Sequence, residues 1–260
     1  MRARQFWALF ALGFVGVLSV IPVVSRMIAR NPLPPAAPKI PFGALVALSL
    51  VQPTLLLAAG VAIGLRLTPR LGLRSYVADA AGNGAPIWPA LRREVPLAVA
   101  IAVAQMAVVL SLELAFRPFM GDAWRRLEQE GDALGGTAAQ LVSGLLYGGI
   151  TEELIIRWGL MSLFAWLVWR FGGGQSDIAP RASVMWVAIL ASAILFGAGH
   201  LPAVSSLVPL TPVVVARTVL LNAIAGLAFG WLFWRRSLEA AMVAHASSHV
   251  VLFAVNLVAD

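Results

Sequence analysis

Residues 139–171 read AQLVSGLLYGGITEELIIRWGLMSLFAWLVWRF. In these 33 residues the only charged side chains are Glu152, Glu153, Arg157 and Arg170. A membrane-crossing helix needs about 20 mostly apolar residues, so the stretch reads as a transmembrane helix with length to spare. As a straight α-helix it would run about 50 Å against a hydrocarbon core of about 30 Å. It is expected to tilt, protrude or break, with Gly148 and Gly149 as the place for a break. On a helix, Glu153 and Arg157 stand four residues apart with the acid first, the favourable order for an ion pair. Glu152 points about 100° away from Glu153. One glutamate is therefore expected to be neutralised by the arginine and the other left free to act as a base. The alternative is an ion-pair node that only holds the bundle together.

Outward from this stretch, six further segments have spanning length: 6–25, 41–65, 95–116, 182–200, 211–234 and 238–258. The chain is 60% hydrophobic and 12% charged, whereas a soluble domain carries roughly 25% charged residues. Soluble, disordered and fibrous classes are excluded. The expectation is an all-α polytopic integral membrane bundle of seven helices, with eight as the alternative. Residues 31–38, 66–94 and 172–174 are expected to be loops, being rich in proline, arginine and glycine respectively. The first segment follows Arg2 and Arg4 but has a long apolar run and no small-x-small cleavage pattern, so it reads as an anchor.

There is no cysteine, which excludes disulfides, thiolate metal sites and a cysteine nucleophile. The net charge of +7 comes from 18 Arg and one Lys against 12 acids. With the N-terminus inside, the inner loops hold 11 Arg and Lys residues and the outer loops 6, which favours a cytoplasmic N-terminus. No basic run suggests nucleic acid as a partner; membrane lipids are the expected one. Arginine almost to the exclusion of lysine, with abundant alanine, suggests a bacterial source and hence the cytoplasmic (inner) membrane. Gly60/Gly64 and Gly226/Gly230 are small-xxx-small pairs read as helix-packing contacts. No internal repeat supports an inverted-repeat transporter.

Ionisable groups at membrane depth are costly and mark function more often than not. Glu113, Glu239 and Arg170 lie near segment ends and are expected to reach the interface. Glu152, Glu153, Arg157, His200, Arg217, His245 and His249 remain, and they include all three histidines of the chain. His245 and His249 share one helical face, with Ser248 beside them. Such a pair can bind zinc, donate hydrogen bonds to an oxyanion, or bridge helices.

Glu152-Glu153-x-x-x-Arg157, Phe196-x-x-x-His200 and His245-x-x-x-His249, in that order on separate segments, resemble the three motifs of the CPBP family. These are the CAAX-protease and bacteriocin-processing (ABI) membrane proteins. Gly226 to His249 is also similar to the family pattern of a Gly-rich helix, a short basic turn, Ser237-Leu238 and a histidine helix. The resemblance implies an intramembrane glutamic endopeptidase with no cofactor and no metal, acting on a membrane-associated or lipidated peptide. It implies that Glu152 and His200 activate water and that His245, helped by the residue at 249, stabilises the oxyanion. Glu153 and Arg157 would support the site. The family usually has Asn where this sequence has His249, a change that also opens a metal-site alternative. On this reading residues 139–258 form the peptidase-like core of four spans and 1–138 a three-span extension, packed as one membrane domain. Two other readings are a non-catalytic membrane scaffold or chaperone of the same fold, and a metal-dependent hydrolase or transporter using His200, His245, His249 and a glutamate.

Overall fold

The computed structural model of the chain describes residues 2–30, 40–135, 138–174 and 180–259. Among these residues there are helices and no strand. Seven helical stretches are long and apolar enough to cross a membrane: Arg2–Arg30, Phe42–Leu71, Trp88–Met120, Ala138–Phe171, Ala182–Ser205, Pro212–Arg235 and Leu238–Val258. They are the seven segments expected from hydropathy, and below they are numbered as spans one to seven. Their outward faces carry Leu55, Leu114, Trp186 and Leu190, all exposed. That is what a lipid solvent permits and water does not. The predicted loop at 31–38 and residues 175–179 lie outside the described residues.

Residues 66–94 are less of a loop than their arginines suggest. The second span runs on to Leu71 and ends on Gly72, whose left-handed backbone (φ 70°) stops the helix. A short helix, Tyr76–Asn83, follows with Ser75 as its N-cap, and the third span already begins at Trp88. The arginines of this stretch thus sit largely on helix ends, where the charged tips can reach the interface while the stems stay apolar. Glu239 lies in the first turn of the seventh span. It is buried and accepts hydrogen bonds from Ser75 Oγ (2.6 Å) and from the backbone N–H groups of Tyr76 and Val77, the free donors of the short helix. Glu94 accepts from Tyr76 Oη (2.8 Å) and Ser237 Oγ (2.5 Å). Two carboxylates therefore fasten the 75–77 turn to the third and seventh spans. Burial and the hydrogen bond to Glu94 together hold the Tyr76 phenol above its ordinary pKa.

The fourth span does not break at Gly148 and Gly149. It is continuous from Ala138 to Phe171 but underwound into π-helical turns at Gly144–Glu152 and Leu154–Met161. Wider turns place more residues in each unit of length, which absorbs part of the surplus. π turns occur mostly as short bulges, frequently at functional sites, and here two π segments lie on either side of Glu153. The span is central. Thr151 Oγ1 donates to the Gly13 carbonyl of the first span at 2.6 Å. Gly60 faces the backbone of Leu154 and Ile155, and Gly64 faces the indole of Trp158. Across the bundle, Gly226 and Gly230 of the sixth span lie against Ala193 and Ile189 of the fifth. Both glycine pairs are packing contacts, as expected.

Candidate active site

The third to seventh spans line a half-open cavity of about 610 Å³, within the usual range of ligand sites. Glu152, His200, His245 and His249, contributed by the fourth, fifth and seventh spans, line it. Their placement can be followed outward from the buried Glu153. This carboxylate has no exposure. One oxygen lies 3.2 Å from Arg157 Nε and the other accepts from His245 Nδ1 at 2.9 Å. The i, i+4 pair read from sequence is present, and it is joined by an imidazole that sequence spacing could not have assigned to it.

Arg157 is also fully buried. Its guanidinium carbon lies over the rings of Phe196 (5.1 Å) and Phe229 (5.9 Å), cation–π contacts that are strong when water is excluded. Phe196 links three parts of the site. Its ring also meets His200 and His245 edge-on, at 4.8 and 5.9 Å between centroids. Its carbonyl oxygen is 2.8 Å from His200 Nδ1. A carbonyl can only accept, so His200 Nδ1 carries the proton and Nε2 of the neutral ring is its basic nitrogen. The Phe196-x-x-x-His200 spacing is thereby given a physical role: the residue one turn earlier fixes the tautomer.

His245 Nε2 lies 3.9 Å from Glu152 Oε2. The same imidazole is thus between both glutamates, bonded to one and close to the other. Since Nδ1–H is committed to Glu153, His245 donates from Nε2 only as the doubly protonated ring. Phe229 stacks on one side of it (4.6 Å, 21°) and His249 on the other (5.1 Å, 16°). Among the described residues the His249 nitrogens make no hydrogen bond to protein. Gly144 and Gly148 make room for this ring, because a Cβ at either would come within 2.7 Å of it. Glu152 keeps 21% of its side-chain surface exposed while Glu153 keeps none. The two neighbours are divided as the helical geometry predicts, one towards the cavity and one locked inside.

Sequence reasoning missed Phe229, which is apolar in an apolar span and leaves no signal. It also missed Gln105 of the third span, which lines the cavity and donates from Nε2 to Ser248 Oγ at 2.7 Å. A lone amide in the middle of an apolar run was the available sign. Arg217 and Glu113, read as separate polar residues, form an ion pair on the cavity wall, with Nε 2.8 Å from Oε2. Among the described residues no three His, Asp or Glu side chains are grouped so as to hold one metal ion.

A bundle of seven membrane-length helices around a buried Glu–Arg–His network and a cavity defines a polytopic membrane protein with a polar site between its spans. Residues 134–251 match the family model of type II CAAX prenyl endopeptidases, Rce1-like. This agrees with the family resemblance of the three ordered motifs, all of which fall inside the matched stretch. Comparison with curated proteins and with solved structures returned no match.

Proposed function

We propose that the protein is an intramembrane glutamate-dependent endopeptidase that hydrolyses a peptide bond in a membrane-associated or lipidated peptide. The observation that carries this reading is the convergence of Glu152, His200, His245 and His249 on one cavity, together with the family match. In this mechanism Glu152, with the free Nε2 of His200, takes a proton from a water held in the cavity. The water oxygen attacks the scissile carbonyl carbon, and the carbonyl π electrons pass to its oxygen. His245 Nε2–H and His249 donate to that oxyanion in a site with little competing water. Collapse breaks the C–N bond, and the proton held by Glu152 passes to the leaving amine. Glu153 and Arg157 hold His245 in place without touching substrate. Neither a metal nor a cofactor takes part. Residues 139–258 supply the chemistry, and the first three spans pack on them as part of one membrane domain.

Purified protein should cleave a farnesylated peptide ending in Cys-aliphatic-aliphatic-X, while a well-folded Glu152→Gln variant should not. A Glu152→Gln protein that still cleaves would end this mechanism. A wild-type protein that folds but does not cleave this peptide would favour a membrane scaffold.

A further inference from the structure

We propose that Gln105 is a substrate-binding residue whose amide oxygen accepts a main-chain N–H of the bound peptide, so that the third span sets the register of the chain in the cavity. This rests on the peptidase reading and assigns part of its substrate recognition to a helix outside the matched stretch 134–251.

The argument begins with hydrogen-bond accounting. Ser248 Oγ donates to the Ala244 carbonyl at 2.9 Å, which uses its one proton. Towards Gln105 it can only accept, so the group 2.7 Å away must be the Gln105 NH₂. The amide orientation is thereby fixed, and Oε1 is the atom left without a donor. Gln105 is 6% exposed, and Oε1 has no hydrogen-bond partner. A buried acceptor left unmade destabilises the protein unless something completes it. A helix-to-helix lock would need only the NH₂ side of the amide.

The place of the residue in the bundle indicates what would complete it. Gln105 lines the same cavity as Glu152 and the histidines. Its partner Ser248 follows His245 by three residues, a rise of about 4.5 Å, and directly precedes His249. An extended peptide advances about 3.3 Å per residue. For a peptide laid along the seventh span with its scissile carbonyl at His245, an N–H within two residues of that carbonyl falls at the level of Gln105. An extended peptide presents such donors at every residue except proline, whereas an acyl or prenyl chain presents none. The ligand that suits this acceptor is the peptide main chain.

The test measures binding of the farnesylated Cys-aliphatic-aliphatic-X peptide, fluorescently labelled, to detergent-solubilised Glu152→Gln protein, which holds substrate without turnover. A series of peptides replaces each N–H near the scissile bond by an ester oxygen, one at a time. One ester should weaken binding about five- to tenfold. The same ester should cost nothing when Gln105→Leu is added, because the partner is already gone. Gln105→Met serves if the leucine variant does not fold. Equal ester penalties with and without Gln105 would overturn the proposal and leave the amide as a helix lock completed by water. Absence of binding by every peptide would overturn it too. Cleavage by the wild-type protein is scored separately. An intact ester signature without cleavage would refute the peptidase chemistry but not Gln105, and cleavage without the signature would do the reverse.

Discussion

Glu152 and Glu153 are the same side chain in adjacent positions, and their surroundings give them different work. Glu153 is spent on Arg157 and His245, whereas Glu152 faces the cavity. Glu152→Gln should abolish cleavage with little effect on thermal unfolding. Glu153→Gln removes one side of a fully buried pair, which costs about 3–5 kcal/mol, so it should lower expression and unfold early. Adding Arg157→Gln should recover part of that loss, as coupled residues do. If Glu153→Gln proves as stable as wild type, the buried pair is not holding the bundle. His249 offers a second contrast. If it donates to the oxyanion, His249→Asn should keep substantial activity and His249→Ala should lose on the order of 10²–10³-fold. Full activity in the alanine variant would remove it from the mechanism.

Helices and their junctions explain how much of this could be read in advance. All seven spans were legible, because a bilayer demands long apolar runs and nothing else in the chain supplies them. Glu153 with Arg157 was legible because both lie on one helix. The π turns were not, since no residue type or spacing in the span marks them. Nor were Glu153 with His245 or Gln105 with Ser248, which require the register between helices distant in sequence. The turn at 75–77 yields a prediction at this scale. The Tyr76 phenol has a raised pKa, so the folded state binds its proton more tightly than the unfolded chain. Its contribution is fully present below about pH 10, the ordinary tyrosine value, and is lost as pH rises through the higher folded value. Tyr76→Phe should cost about 0.5–1.5 kcal/mol near neutral pH. The gap between the two proteins should shrink in alkaline melts; a gap that stays constant to pH 12 would count against the linkage.

For the whole molecule, the arginine and lysine distribution predicts a cytoplasmic N-terminus with Arg74 on the same side. A single cysteine introduced at position 74 should be labelled from the cytoplasmic face, and labelling from the opposite face alone would invert the topology. Activity should survive EDTA and phenanthroline, and loss restored by added zinc would reassign the histidines as ligands. The bonds from Ser237 to Glu94 and from Gln105 to Ser248 span the same sequence separation of 143 residues. The third and seventh spans therefore run side by side in the same direction, in step over eleven residues. A single deletion between Glu94 and Gln105 would turn every later residue by about 100°. The amide would then swing off the cavity wall while the interfacial anchor stayed put. That stretch should tolerate exchange of one apolar side chain for another and resist any change of length, so its heritable property is its residue count more than its spelling.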